Sequence, residues 1–537
     1  MPDLVTADGL GAAQHIIGVN LPVAERESAR PIVIRNREHY DAIRKVVIAP
    51  EVEPAFSFRP PRPSRATTAA SLPRRTSVLA APHAKKFASV GELAFEPVTA
   101  LAALLATRQV TSTELTKMYL ARLERHDPTL NCVITLTADL ALEQAAEADK
   151  KIRAGRYLGP LHGVPFGIKD LFSTKGLPTT WGAEPYARQV FDYDATVVTR
   201  LREAGAVMVA KLSTGELAIG DLWFRGRTRN PWNPERGSGG SSAGPASATA
   251  AGLVGFSVGT ETGGSIVSPA SACGVVGLRP TYGRISRHGC MTLRWTLDKV
   301  GPITRSVRDA SLVLDALYGP DGLDETVADV AFQWNGRREV KGLRIGYIER
   351  ELLGSSSEET GQPAARRALH QAAMELYQRA GATLVPITLP DLPVSSVYAV
   401  LNAEAGAMFD DLTRSGAINE LSDKGPNSRA NQLRASRFIP AVEYIRAQRV
   451  RSLLLQRLNT VFDGVDLFLT PSTSDSVTTT NLTGHPAIVV PAGFVDGMPI
   501  SIMLTGRLWE EATLLRAAAA FEAATEWHSE RPTAFAD

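Results

Sequence analysis

The chain has 537 residues, 44% of them apolar and 21% charged, the balance of an ordinary globular protein long enough for a large core. Its 58 basic residues face 56 acidic ones, so bulk charge gives no pull toward nucleic acid or anionic lipid. Three scattered cysteines, Cys132, Cys273 and Cys290, form no C-x-x-C pair, which argues against a disulfide framework or a zinc knuckle.

No apolar run reaches the roughly 18–20 residues that span a bilayer. The N-terminus lacks a basic start followed by an apolar stretch, so the chain as written reads as cytoplasmic. An exported protein whose signal peptide is absent is the alternative. Residues 20–47 are charged and predict one or two surface helices, interrupted at Pro31. Residues 58–75, FRPPRPSRATTAASLPRR, are rich in Pro, Arg, Ser and Thr and predict an extended linker. Residues 1–90 are therefore set apart as an extension and linker, expected to wrap the core or to mediate a homodimer. Residues 91–537 are read as the catalytic domain.

From about residue 95 the pattern is regular. Apolar spacing predicts helices over 97–107 and 111–125, the second capped by Thr111 or Ser112 ahead of Glu114. Residues 138–154 predict another amphipathic helix. A helix over 195–204 precedes the apolar run AVMVAKL (206–212), read as a buried strand. The same alternation of helix and apolar strand recurs near 308–318, 343–348 and 365–387. The runs AIVVPAGF and MPISIML flank Asp496-Gly497, a hairpin signal. A helix over 510–526 closes the chain. There is no internal repeat, and the alternation predicts an α/β fold with a mostly buried sheet.

Residues 226–289 are dense in Gly, Ser, Ala and Thr. Two patches each end a glycine pair with serine: Gly239-Gly240-Ser241-Ser242 and Thr260-Glu261-Thr262-Gly263-Gly264-Ser265. Glycines ahead of a serine let successive N–H groups converge on one point, as an oxyanion hole requires. Other motifs fail. No G-x-x-x-x-G-K-[ST] run exists, and a dinucleotide fingerprint has Ser242 where its third glycine belongs. Gly240-Ser241-Ser242-Ala243-Gly244 fits G-x-S-x-G in form. A nucleophile elbow needs a preceding strand, however, and residues 230–234 read as a loop. No H-E-x-x-H or close His/carboxylate cluster suggests a metal, and no cofactor is expected. His162, His288 and His485 lie near glycines and read as structural.

A serine nucleophile needs a base, and no His–Asp arrangement supplies one. Lys169 follows the apolar run in Gly163-Val164-Pro165-Phe166-Gly167-Ile168-Lys169-Asp170. Burial there would lower its pKa toward roughly 7–8 and make it a usable base. A surface lysine after a strand is the competing reading.

These blocks resemble the amidase signature family of serine hydrolases. Asn230-Pro231-Trp232-Asn233, Gly239 to Gly244, Gly259 to Ile266 and the lysine block match its signature elements in order. Gly277-Leu278-Arg279-Pro280-Thr281, Asp298-x-x-Gly301-Pro302 and Asn481 to Pro486 look like further family blocks. The resemblance covers roughly residues 95–525. It implies one large α/β domain with a twisted mixed central sheet covered by helices on both faces. It assigns Ser265 as acylated nucleophile, Lys169 as base and Ser241, after a cis peptide from Gly240, as the bridge between them. Backbone N–H groups of Thr262, Gly263, Gly264 and Ser265 would hold the oxyanion.

The function this implies is an amidase converting a small-molecule carboxylic amide to a carboxylate plus ammonia or an amine. The glutaminase subunit of a tRNA-dependent amidotransferase shares the same core and is the alternative, and a non-catalytic binding protein of this fold is a third reading. The chain departs from the family at Val267, where arginine is common, at Ala243, and at Pro499-Ile500-Ser501-Ile502-Met503 in the last hairpin. None of these touches the three polar residues. Substrate-lining residues are expected in segments 180–230 and 395–450.

Overall fold

Three short runs, Pro165–Lys169, Val207–Leu212 and Phe256–Glu261, are buried at every residue. Such runs cannot present a polar face to water, so they belong inside a sheet covered on both sides. The computed structural model, which describes residues 5–47, 87–354 and 361–536, places them side by side and mutually parallel. They lie within an 11-stranded mixed sheet. From one edge its order is Val133–Leu136, Val207–Leu212, Pro165–Lys169, Phe256–Glu261, Lys299–Thr304, Val276–Arg279, Ala487–Val495, Met498–Gly506, Leu467–Pro471, Arg344–Tyr347 and Thr383–Pro386. Helices cover both faces, and one continuous apolar core runs beneath them from Leu93 to Phe521. The α/β expectation holds.

The helices predicted from spacing lie at Val98–Ala106, Ser112–Leu130, Ala138–Arg153, Thr196–Glu203 and Glu511–Ala523. Thr111 caps the second: its hydroxyl accepts the Glu114 N–H at 3.1 Å, and the Glu114 carboxylate accepts the Thr111 N–H at 2.8 Å. The last hairpin turns at Asp496 and Gly497, both at positive φ (51° and 73°), the backbone that a two-residue hairpin turn demands. No helix among the described residues is long and apolar enough to cross a membrane.

Two local expectations are corrected. Pro31 does not interrupt its segment, because Val23–Arg44 is one helix with Pro31 inside it, preceded by a shorter helix over Ala7–Ile16. A proline costs a helix interior about 3 kcal/mol. Ala29, Ile32, Val33, Tyr40 and Ile43 are buried along one face of this helix, and burying each large apolar side chain returns about 1.5–3 kcal/mol. That face packs on the helices Val394–Val400, Arg429–Ser436 and Ala441–Phe462. Arg434 pairs with Glu25 at 3.0 Å, and the Arg44 Nε–H donates to Glu443 at 3.0 Å. The run around residues 230–234 is also not a plain loop, since Arg229–Asn230 and Asn233–Gly237 pair as a small antiparallel ribbon. The expected linker at 58–75 lies outside the described residues.

Candidate active site

Strand register brings the lysine and the second glycine-rich patch together. Ile168 is paired with Val258 in parallel strands, so Lys169 emerges beside Gly259 and Thr260 at the end where both strands run out. Lys169 is fully buried. Its neighbour Asp170 turns to another cation, Lys211, at 2.8 Å, and accepts the Thr180 N–H at 2.7 Å. Lys169 is left with two neutral partners, the Ser241 Oγ at 2.8 Å and the Thr260 Oγ1 at 2.9 Å, and no ion pair among the described residues. Burial pulls its pKa down to about 7, with Cys290, Asp298 and Glu261 opposing that only in part.

The Gly240–Ser241 peptide is cis. A side chain at Gly240 has no room, because a Cβ there would lie 1.8 Å from the Gly220 carbonyl oxygen. Ser242 follows at the start of the helix Ala243–Ala250. Its hydroxyl accepts the Thr260 N–H at 3.2 Å and donates to the Thr260 carbonyl at 3.1 Å. That pair of bonds staples the two patches together and occupies Ser242. The backbone does the same at the next level: the Ser242 N–H donates to the Ser265 carbonyl at 3.1 Å.

Ser265 is partly exposed, whereas Ser241 is buried. Lys169 and Ser241 are thus in direct hydrogen bond, and Ser265 is tied by its carbonyl to Ser242, the residue after Ser241. Its own hydroxyl makes no hydrogen bond to a described residue. The chain from Thr262 to Ser265 lies between the Phe256–Glu261 strand and the helix Val267–Cys273, with Gly264 at φ 121°, open only to glycine. The N–H groups of Gly263, Gly264 and Ser265 find no acceptor among the described residues.

Sequence reasoning missed what holds this loop. The buried Glu261 carboxylate accepts the N–H groups of Ile266 (2.8 Å) and Val267 (2.9 Å). It also accepts Arg279 at 2.7 Å and the Asn481 amide at 2.8 Å. Burial alone would raise this carboxyl; the Arg279 charge and the N–H donors outweigh it and hold the pKa below the usual value. Asp298 supports the other end, accepting the Thr262 hydroxyl at 2.6 Å and the Leu293 and Arg294 N–H groups at 2.7 and 2.9 Å. Arg279, Asp298 and Asn481 stand in motif blocks that carry no stated role, and convergence on one carboxylate or one loop is visible only in three dimensions. Glu261→Gln is expected to leave Arg279 buried without its counter-charge, costing about 3–5 kcal/mol, read as a lowered urea midpoint.

The three histidines of the sequence reading do not join the site. His162 accepts the Leu158 N–H at 3.1 Å, His288 lies beside Tyr193 with ring centroids 5.8 Å apart, and His485 stacks on Phe462 at 5.0 Å. No group of three or more His, Cys, Asp or Glu among the described residues is arranged to hold a metal.

The family model described as Amidase matches residues 114–480. The A subunit of glutamyl-tRNA(Gln) amidotransferase from Chloroflexus aurantiacus is 38% identical over 491 residues, 82% of this chain and 99% of the relative. Its counterpart from Geobacter sulfurreducens is 42% identical over 475 residues, 79% of this chain and 96% of the relative. Among solved structures, the peptide amidase of Stenotrophomonas maltophilia superposes with a TM-score of 0.74 at 31% identity, covering 81% of this chain and 98% of that one. A bacterial aryl acylamidase of the amidase signature family superposes with a TM-score of 0.71 at 25% identity, covering 81% and 98%. The ordered motifs, the 11-stranded sheet and these matches together show that the chain belongs to the amidase signature family of hydrolases acting on carbon–nitrogen bonds.

Proposed function

We propose that the protein hydrolyses a carboxylic amide through an acyl-enzyme on Ser265. The observation that carries this reading is a buried lysine with a pKa near 7, 2.8 Å from the hydroxyl of Ser241, whose neighbour Ser242 is bonded through its N–H to the Ser265 carbonyl. Neutral Lys169 takes the Ser241 proton as Ser241 takes that of Ser265, and Ser265 Oγ attacks the amide carbon. The N–H groups of residues 262–265 receive the charge on the carbonyl oxygen, a contribution of roughly 3–4 kcal/mol per donor. The proton returns through Ser241 to the leaving nitrogen, which departs as ammonia or amine. Water, deprotonated along the same path, then frees the carboxylate and Ser265. Residues 91–537 carry this chemistry, with residues 1–90 as an appended arm.

The test is reaction with a fluorophosphonate followed by mass spectrometry. Label on Ser265 is expected; label on Ser242, or none, removes the assignment. A panel of primary, aryl and peptide amides then reads the activity.

The curated relatives favour a second reading. They are the A subunits of glutamyl-tRNA(Gln) amidotransferases, matched over almost their whole length. On that reading the same triad is a glutaminase whose ammonia passes to partner subunits that modify tRNA. Stable co-purification with such subunits, together with glutamine turnover that rises in their presence, selects this reading. Turnover by the isolated chain, unchanged by them, selects the free-standing amidase.

A further inference from the structure

Lys169 becomes an ammonium each time it takes the serine proton. It does so fully buried, with two neutral hydrogen-bond partners, Ser241 and Thr260. A buried charge without compensation is costly, so the groups facing Lys169 decide how readily it accepts the proton. Three of them favour its charged form against burial: Cys290, Asp298 and Glu261.

The three are not equal. Burial pushes the Cys290 thiol up to about 12, so it carries no charge near neutrality. Glu261 is neutralised in contact by Arg279, at 2.7 Å. Asp298 is buried too, but its carboxylate accepts only neutral donors: the Thr262 hydroxyl at 2.6 Å and the Leu293 and Arg294 N–H groups at 2.7 and 2.9 Å. Three bonds accepted and none donated is the pattern of an ionised carboxylate.

Strand register places it there. Lys299 is paired with Glu261, and Val300 with Thr260, in antiparallel strands, so the residue ahead of Lys299 reaches Thr262. Asp298, Lys299, Cys290, Thr260 and Thr262 together line a cavity of about 10 Å³, room for roughly one water. Little solvent therefore lies between Asp298 and Thr260, the partner of Lys169, and a charge acts further in such surroundings than in water. Other cationic side chains face Asp298 as well: Lys299, Arg287 and Arg429. Arg287 is held by Asp324 at 2.9 Å, and Arg429 donates to Gln432 and to the Ala218 carbonyl, both at 3.2 Å. Burial, with Arg279 acting in the same direction, holds the Lys299 amine well below its usual range. None of these three gains or loses a proton in the proposed reaction; Lys169 does.

We propose that Asp298 is a positioning residue for the reaction, a buried counter-charge that stabilises the ammonium formed when Lys169 takes the serine proton. This rests on the reading of Lys169 as base and Ser265 as nucleophile. It gives Asp298 the part that an aspartate plays behind the histidine of a Ser-His-Asp triad, without contact between the two groups.

The probe is a fluorophosphonate. Its phosphorus takes the Ser265 Oγ as fluoride leaves, and the serine proton passes through Ser241 to Lys169, so the inactivation rate reports the proton transfer without a known amide substrate. Asp298→Asn keeps the shape and an acceptor oxygen while removing the charge. The pH at which the rate levels off is expected to move down by about half a unit or more. The plateau should fall, by no more than about tenfold per unit of that shift, because a weaker base draws the proton less readily. The two profiles should therefore meet or cross on the acid side, where more of the variant's amine is neutral. A rate lowered at every pH with the limb unmoved is the result of lost packing alone and overturns the inference. Thr262→Val breaks the hydrogen bond but keeps the carboxylate, so its limb should stay at the wild-type position. A limb displaced there as far as in Asp298→Asn would assign the effect to the loop and overturn the inference too. Where Asp298→Asn fails to fold, Asp298→Ser removes the same charge with less bulk and is decided by the same limb. No label on Ser265, or a limb that survives Lys169→Met, removes the underlying mechanism. An unmoved limb in Asp298→Asn, beside a labelled Ser265 and a limb lost in Lys169→Met, removes the counter-charge alone.

Discussion

Ser265→Ala is expected to lower kcat by about 10⁴-fold or more and to abolish fluorophosphonate labelling, with little change in stability. The residual rate would come from the N–H groups of the 262–265 loop and from substrate binding, which survive loss of a nucleophile. Stability should hold within about 0.5 kcal/mol, because the Ser265 hydroxyl is partly exposed and makes no hydrogen bond to a described residue. The contact that joins the two glycine-rich patches at this residue uses its carbonyl, which alanine keeps. Ser242→Ala should behave in the opposite way. It keeps the label and leaves the Thr260 N–H and carbonyl buried without their partner, a cost of about 1–3 kcal/mol. Measured together by labelling and urea unfolding, the pair separates the proposed nucleophile from the staple beside it. A Ser265→Ala protein that still labels, or still turns over amide at the wild-type rate, would end the acyl-enzyme proposal.

How far the sequence reaches depends on the range of the interaction that fixes each feature. The helix at Ser112–Leu130 is legible because its cap is local: Thr111 and Glu114 are three residues apart. The buried strand at Val207–Leu212 is legible from its continuous apolar run, and the last hairpin from Asp496-Gly497, whereas Phe256–Glu261, half polar, is not. Pro31 misleads because its local penalty is overcome by a long-range contact, with its helix packed on residues some 360–430 positions away. The same distinction runs through the site. Lys169, Ser241 and Ser265 stand out in motif blocks. Thr260, the second partner of Lys169, lies inside such a block without standing out, since only parallel strand register brings residue 260 to residue 169. Glu261 is joined to Arg279 and Asn481 across gaps of 18 and 220 residues, and no spacing rule connects them. Tyr398 falls in a segment marked for substrate contact, yet nothing in its neighbourhood of the chain points to Gly263, where a side chain would meet its hydroxyl.

Lys169→Met is expected to lower kcat/KM by about 10²–10⁴-fold, the range for loss of a positioned proton acceptor, and to change the shape of the pH profile. In the wild type only the neutral amine can take a proton through Ser241. With the pKa near 7, kcat/KM should fall about tenfold per pH unit below 7 and level off above it. In the variant that limb should vanish, because the titrating group is gone. Stability supplies an independent reading of the same group. The lysine pKa is about 7 in the folded chain and roughly 10.4 when unfolded. Between those values the unfolded chain binds the proton and the folded chain does not, so wild-type stability carries a term that rises with pH across that window and is complete above it. Methionine fills much the same volume without a charge, so the variant should lose this slope relative to wild type in urea unfolding at pH 7, 8 and 9. A pH limb that survives the substitution would place the proton acceptor elsewhere, whatever the loss in rate. A limb that disappears together with the stability slope would tie both to the one buried amine.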